Sequence, residues 1–268
     1  MDSHLKGYFE RIKIKDQIDA TAETLAALIE HHTGQIPFEN LNPLLNIPVT
    51  LDLNSLWKKL IHDRRGGYCF EQNLTLMHVL KKLNFEVTPL AARVEASGER
   101  MNARTHMLLK VKTENQNFLA DVGFGGTTPT VPLLLDNRNP QETPHNTYRI
   151  LLEKGIYSLQ VLKEDSWQLL YTFDLQKQHQ VDFEMANWYT STFPTSHFRH
   201  DLLVAIAKST GRFNLKNNRL THYHKNGATE QQILKSPDEI RAVLEEVFHL
   251  NLTNLPGLDV KLAGFLKE

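Results

Sequence analysis

The chain has 268 residues, of which 41% are hydrophobic and 23% charged, a composition that supports a sizeable core and excludes global disorder. Lys and Arg number 30 against 31 Asp and Glu, so the formal net charge is -1 and no basic excess is present to neutralise nucleic-acid phosphates. The single cysteine excludes an intrachain disulfide and a cysteine-based zinc site.

No segment of the sequence predicts membrane insertion or export. Residues 1–6 lack the apolar core of a signal peptide, and no run of eighteen apolar residues occurs anywhere in the chain. We therefore expect a cytoplasmic protein that has neither a membrane nor a nucleic acid as partner.

The first third of the chain predicts helices, because apolar residues recur there at helical spacing behind capping side chains. The first helix is capped within 19–21 and stops at Gly34, the second begins at Asp52, and the third runs from Cys69 to Asn84.

From about Phe85 onward, the hydrophobic period changes to that of strands. The predicted strands lie at 85–94, 106–112, 118–124, 148–152, 156–162 and 167–173. Short sequential strands joined by short turns indicate an antiparallel barrel or a curved sheet.

The last third of the chain predicts a mixture of helices and strands. Asp182 is a predicted N-cap for a helix over 183–189, and Ser236 opens a capping box for a helix that extends to Phe248. A strand pair is predicted between 212 and 223, with a turn at 216–218.

The only cysteine follows a pair of arginines and a pair of glycines in the segment Arg-Arg-Gly-Gly-Tyr-Cys that ends at Cys69. A free thiol has a pKa of about 8.5, so only a small fraction is thiolate at neutral pH. The start of a helix favours an anion, and a neighbouring imidazole would accept the thiol proton. We expect Gly66 and Gly67 to allow the bend that exposes the sulfur, and the Cys69 N–H to stabilise an oxyanion.

Two downstream residues, together with Cys69, make up a candidate catalytic triad. His106 and Asp121 lie on predicted strands that a hairpin around 113–117 joins, so they come close to lateral alignment. Asp121 would then hold one ring nitrogen of His106 while the other faces Cys69. A thiol, a base and an orienting carboxylate predict covalent acyl-transfer chemistry.

These motifs resemble the arylamine N-acetyltransferases, of the N-hydroxyarylamine O-acetyltransferase type found in bacteria. The segments that carry the resemblance stand in the order of that family, and they are 36–41, 64–69, 105–106, 121–126 and 187–191.

The resemblance implies an α+β fold with a cysteine-protease-like catalytic core. A helical bundle over 1–85 would carry the cysteine, an antiparallel β-barrel over 86–195 would carry the histidine and aspartate, and an α/β lid would span 196–268. It also implies ping-pong transfer from acetyl-CoA, as a substrate and not a bound cofactor, to arylamines, arylhydrazines or N-hydroxyarylamines. The acetyl group would pass through a thioester on Cys69, with His106 as general base and acid and Asp121 orienting it.

The resemblance further implies roles for residues around this triad. Phe38 and Phe124 would line the acceptor pocket, where aromatic faces stack on an arylamine. Gly125 and Gly126 would allow the CoA pyrophosphate to approach the backbone. Glu39 and Arg64 would form an inner ion pair that steadies the nucleophile loop.

Two alternatives remain open from the residues alone. A papain- or transglutaminase-like cysteine hydrolase uses the same Cys-His-Asp logic, and a binding module with an inert, buried Cys69 would share the fold. The oligomeric state is not predicted.

The histidine pairs at 31–32 and at His222 and His224 suggest a metal at first sight. No further ligands accompany either pair at useful spacing in the sequence, so no metal site is expected.

Overall fold

A computed structural model describes residues 3–15, 19–95, 103–113 and 116–266. Its α-helices are α1 (Ser3–Ile12), α2 (Ala22–Gln35), α3 (Leu41–Leu44), α4 (Leu53–Leu56), α5 (Cys69–Lys82), α6 (Gln180–Thr192), α7 (Pro237–Ala242) and α8 (Leu258–Gly264). Helices α4 and α7 continue as the π-helical turns Trp57–His62 and Val243–Val247, and a 3₁₀ turn covers His197–Arg199. Within the described ranges, no helix is both long and apolar enough to span a membrane.

Several helix starts in the described ranges follow the sequence-based predictions. Thr21 and Asp52 accept backbone N–H groups at the starts of α2 and α4, and α5 begins at Cys69. The prediction for Asp182 is wrong, because α6 begins earlier, at Gln180. Asp182 instead accepts the backbone N–H of the N-cap residue, His179, at 2.7 Å.

The strands are β1 (Phe38–Glu39), β2 (Glu86–Val94), β3 (His106–Thr113), β4 (Gln116–Ala120), β5 (Leu133–Leu134), β6 (Gln141–Glu142), β7 (Thr147–Glu153), β8 (Ile156–Lys163), β9 (Ser166–Phe173), β10 (Leu203–Lys208), β11 (Gly211–Lys216), β12 (Arg219–His224) and β13 (Thr229–Ile233). Strands β2 to β9 form a nearly closed antiparallel barrel in the order β5-β4-β3-β2-β9-β8-β7-β6. The remaining five strands form a second sheet, β1-β10-β11-β12-β13. The predicted α+β architecture, with helices, a barrel and a further mixed unit, is confirmed.

Strand β4 ends sooner than its apolar pattern predicts. It stops at Ala120, and the next residue, Asp121, accepts the backbone N–H of Gly123 with its own carboxylate at 2.9 Å. A side chain that binds the local backbone offers it an alternative to the sheet ladder. Asp121 and Phe124 therefore lie in a loop beyond the strand and not within it. The turn predicted between β3 and β4 includes residues 114–115, which lie outside the described ranges, but the pairing of the two strands is confirmed.

Strand β1 joins the first part of the chain to the last. Phe38 pairs with Ala205 in β10, and a single parallel bridge connects Phe38 to Gly67 beside the start of α5. This short strand, which is not predicted from the sequence, holds the nucleophile loop against the second sheet.

Candidate active site

A cavity of about 850 Å³ opens over the start of α5. Its walls come from the helical segment, the barrel and the second sheet, and they include Phe38, Cys69, His106, Phe124, Val204 and Asn214. Because three parts of the chain contribute, the cavity exists only in the folded protein.

Cys69 occupies the first position of α5 and is only 5% exposed. Its Sγ lies 3.6 Å from the carbonyl oxygen of Thr105, the residue before His106. The helix start is braced by Glu71, whose carboxylate accepts the backbone N–H of Tyr68 at 3.1 Å. The thiol is thus held at a helix N-terminus and directed at the histidine segment.

The two glycines before Cys69 are required by close packing. A Cβ on Gly66 would lie 2.0 Å from the carbonyl oxygen of Pro37, and one on Gly67 would lie 2.7 Å from the carboxylate of Glu71. The left-handed bend itself falls on Arg64, whose φ is 51°. The glycines therefore let the nucleophile loop pack against β1 and α5.

His106 and Asp121 form the contact that the sequence predicts. Nε2 of His106 lies 2.7 Å from Oδ2 of Asp121, and both side chains are buried. In the antiparallel register of β3 and β4, Leu109 lies opposite Ala120. The start of β3, where His106 lies, is therefore beside the end of β4, which Asp121 follows. The ring nitrogen not bound to Asp121 is Nδ1, and the neighbouring Cys69 contributes to raising the pKa of His106.

Asp121 accepts hydrogen bonds from three further donors. They are the Tyr171 hydroxyl at 2.9 Å, the Asn73 amide at 3.0 Å and the Gly123 N–H at 2.9 Å. The roles of Asn73 and Tyr171 are not predicted from the sequence. Asn73 lies one helical turn after Cys69, so helical spacing could have found it, whereas Tyr171 comes from β9 and carries no local signal.

The electrostatics of the His106–Asp121 pair favour an imidazolium beside a carboxylate. Burial alone lowers the pKa of His106, but the Asp121 carboxylate and hydrogen bonds with Asp121 and Cys69 outweigh it and raise the pKa to about 10. Burial likewise opposes ionisation of Asp121, but His106 and the other donors hold the pKa of that carboxyl below its usual value.

Two aromatic residues line the cavity beside the triad, where the predicted acceptor pocket would lie. Phe124 stands edge-on to the His106 ring with centroids 5.1 Å apart, and Phe38 packs against Phe198 with centroids 6.3 Å apart. Both rings face the same cavity as Cys69. A flat aromatic molecule would therefore meet aromatic surfaces close to the sulfur.

Gly125 and Gly126 also line the cavity, and internal packing explains both glycines. Gly125 has a φ of 90°, and a Cβ there would touch the Phe38 ring at 3.4 Å. A Cβ on Gly126 would lie 2.5 Å from the Asn214 amide. Their predicted contact with CoA stays a prediction.

The predicted ion pair between Glu39 and Arg64 is wrong in its second member. Glu39 binds Arg65, whose guanidinium donates to Oε1 at 2.7 and 3.1 Å, and Lys59 lies 3.6 Å from the same oxygen. The left-handed backbone at Arg64 turns its side chain to solvent, and Arg65 enters the core instead.

Glu39 is fully buried in this ionic cluster. Burial raises the pKa of its carboxyl, but Arg65, Lys59 and the backbone N–H of Leu41 overcome that effect and bring the pKa to about 2. A carboxyl with a lowered pKa contributes stability above its unfolded value, about 4.3, and that stability is lost as the pH falls toward 2.

We expect Glu39→Gln to lower the free energy of unfolding at pH 7 by about 3–5 kcal/mol, because the buried Arg65 loses its carboxylate. Lys59, by contrast, keeps its ion pair with Glu71. The stability of the variant should also depend less on pH between 4 and 2. Urea unfolding at pH 7 and in acid measures both effects. The matched control is Glu86→Gln, because Glu86 forms an exposed pair with Lys112. Equal stability of the two variants would contradict the structural role of Glu39.

Gly123→Ala is expected to reduce turnover by about 100-fold through displacement of the nucleophile. A Cβ there would lie 2.6 Å from the Cys69 Cα and 2.8 Å from the Asn73 amide, so the backbone of the site must shift. Steady-state kinetics and a thermal melt measure the outcome. Gly264→Ala is the control, because no atom lies within 4 Å of its added Cβ. Normal turnover in Gly123→Ala would show that the loop accommodates the methyl group.

The site has the arrangement of enzymes that use a thiol nucleophile with a histidine and an aspartate. The N-acetyltransferase family profile matches residues 21–256. An arylamine N-acetyltransferase of Escherichia coli K12 is 42% identical over 263 residues, which cover 97% of this chain and 92% of that relative. The chain belongs to the arylamine N-acetyltransferase family.

A second sequence relative and one solved structure are also similar to this chain. A Salmonella typhimurium LT2 protein named arylamine N-acetyltransferase / N-hydroxyarylamine O-acetyltransferase is 38% identical, with 95% of this chain and 92% of that protein covered. The structure of Mycobacterium marinum arylamine N-acetyltransferase in complex with CoA superposes with a TM-score of 0.93 at 36% identity, with 97% and 99% of the chains covered.

Proposed function

We propose that this protein transfers the acetyl group of acetyl-CoA to arylamines, arylhydrazines or N-hydroxyarylamines by a ping-pong mechanism. The observation that supports it most is the Cys69–His106–Asp121 row at the edge of a cavity with aromatic walls. Family membership and the CoA complex of a similar structure support the choice of donor.

In the first half-reaction, the Cys69 thiolate attacks the thioester carbonyl of acetyl-CoA. His106 accepts the proton of the thiol on Nδ1, and Asp121 stabilises the resulting imidazolium through Nε2. The tetrahedral intermediate collapses with cleavage of the bond between the acetyl carbon and the CoA sulfur. CoA leaves as a thiol with the proton from His106, and the acetyl group stays on Cys69.

In the second half-reaction, the acceptor nitrogen or hydroxylamine oxygen attacks the acetyl-Cys69 carbonyl. His106 takes the proton of the acceptor as general base and returns it to the departing Cys69 sulfur. Phe38 and Phe124 hold the acceptor ring, and the N–H groups at the start of α5 stabilise the oxyanion. The enzyme is regenerated with no permanently bound cofactor.

The cellular location and the partners follow from this chemistry. The mechanism needs a reduced thiol and acetyl-CoA, both of which the cytoplasm supplies, so we place the protein there. The partners are small molecules, with no nucleic acid and no membrane surface.

Intact mass spectrometry tests the proposal. Mixing the protein with acetyl-CoA should add one acetyl group, which peptide mapping should locate on Cys69. Addition of an aminobenzoate should remove this adduct as acetylated amine appears. If the adduct hydrolyses without the amine as fast as it disappears with the amine, the hydrolase is favoured. If no adduct forms at all, the inert binding module is favoured.

A further inference from the structure

The side of the second sheet that faces away from the cavity carries a cluster of two histidines and a glutamate. His222 and His224 lie on one face of β12 because side chains alternate along a strand, and Glu230 in β13 is paired directly with His222. Their nearest nitrogen and oxygen atoms all lie within 4.8 Å of one another. Thr221, by contrast, points into the cavity from the opposite face.

In the part of the chain that the structure describes, one nitrogen of each imidazole in this cluster is buried without a hydrogen-bond partner. Among the described residues, Nε2 of His222 and Nε2 of His224 are shielded from solvent and make no hydrogen bond. The His222 ring is oriented from outside the cluster, since it stacks on the Phe213 ring with centroids 3.9 Å apart.

One separation within the cluster is compatible with a shared ligand set. Nε2 of His224 lies 3.2 Å from Oε1 of Glu230, but the two atoms are not aligned as donor and acceptor. Two ligands at 2.0–2.1 Å from a tetrahedral ion are about 3.3–3.4 Å apart and point at the ion, not at each other. The spacing therefore matches that of two ligands on one ion.

We propose that His222, His224 and Glu230 bind a divalent zinc ion, with water in the remaining position. Two imidazoles and one carboxylate form a ligand set that suits this metal. No metal is expected from the sequence alone, because no third ligand accompanies the histidine pair at useful spacing along the chain. Strand pairing supplies that ligand. The side chain of His224 is 26% exposed and that of Glu230 is 73% exposed, so an ion can enter from solvent.

Zinc at this position would link β12 to β13, the last strand of its sheet. Thr221, Tyr223 and Gln231 of the same two strands line the cavity. The ion would therefore stiffen one wall of the cavity without contact with the triad.

Zinc titration by calorimetry tests this site in the full-length chain. The background variant is Cys69→Ala, because a free thiol beside a histidine binds zinc by itself. We expect one zinc per chain in this background, and at least a 10-fold weaker affinity after His224→Gln or Glu230→Gln. The matched control is His62→Gln, which removes an exposed histidine outside the cluster and should leave the affinity unchanged.

Thermal melts with and without zinc provide the second measurement. Zinc should raise the melting temperature in the Cys69→Ala background and in His62→Gln, but not in His224→Gln or Glu230→Gln. Equal melting temperatures in chelator would show that the variants fold. Absence of zinc binding in the Cys69→Ala protein, or equal affinity with and without Glu230, would overturn the site and leave His224 and Glu230 as a simple ion pair.

Discussion

Cys69→Ser is expected to abolish acetyl transfer, with kcat/KM lower by at least about 10⁴-fold. A hydroxyl ionises far less readily than a thiol, so proton transfer from the serine hydroxyl to His106 is expected to be much less favourable than from Cys69. The oxygen ester that would form is also a poorer acetyl donor to an amine than a thioester. Steady-state rates with acetyl-CoA and an aminobenzoate measure the loss, and intact mass should show no adduct.

The change from sulfur to oxygen removes little volume, so folding is expected to survive it. Cys69→Ala provides the matched comparison, because it removes the nucleophile altogether without adding a hydroxyl. Both variants should keep the wild-type melting temperature and should still bind CoA. Turnover of Cys69→Ser near the wild-type rate would mean that the covalent mechanism is wrong.

Asp121→Asn is expected to lower kcat by about 10⁴-fold, the loss that the equivalent change causes in a Ser-His-Asp enzyme. The asparagine amide would donate to Nε2 of His106, which places the ring proton on Nδ1. That nitrogen could then no longer accept the proton of Cys69. The change also removes the negative charge that opposes the burial of the imidazolium.

The pKa of His106, and the pH dependence of stability that follows from it, can be measured independently of the catalytic rate. With a folded pKa of about 10 against about 6.5 unfolded, the imidazolium contributes stability in full below pH 6.5 and loses it as the pH rises toward 10. In Asp121→Asn the pKa of His106 should fall, because burial then dominates, and this alkaline loss of stability should disappear. NMR titration of the ring protons and urea unfolding between pH 6 and 10 measure both changes.

Tyr171→Phe is the matched control for Asp121→Asn. It removes one donor to the carboxylate, the hydroxyl at 2.9 Å, and keeps the charge. We expect a rate loss of about 10-fold or less, since a single hydrogen bond to a charged group contributes about 1.5–3 kcal/mol and only part of it changes during the reaction. An Asp121→Asn enzyme as active as Tyr171→Phe would remove Asp121 from the catalytic machinery.

Residues that act through local chemistry were predictable from the sequence. A helix that begins at Cys69, a capping aspartate at Asp52 and a capping serine at Ser236 all depend on a few neighbouring residues, and all occur in the structure. The second half of the box predicted at Ser236 is wrong, because Glu239 accepts the backbone N–H of Lys235 and not that of Ser236. The contact of His106 with Asp121 was also predictable, because a hairpin between two short strands leaves few possible registers.

Residues whose partners come from distant segments were not predictable in this way. Arg64 and Arg65 are chemically equivalent in the sequence, and only the left-handed backbone at Arg64 decides that Arg65 reaches Glu39. The early end of β4 depends on the Asp121 carboxylate, whose local hydrogen bond with Gly123 outweighs the apolar pattern of the strand.

The sequence by itself determined the α+β class, the helix that presents Cys69 and the identity of its two partners, because caps, hydrophobic periods and a lone thiol are local signals. Only the tertiary structure decided that Tyr171 and Asn73 converge on Asp121, that Phe38 and Phe124 share one cavity with the sulfur, and that Glu230 joins His222 and His224. These contacts depend on sheet register and on packing between segments far apart in the chain, and no short stretch of residues encodes them.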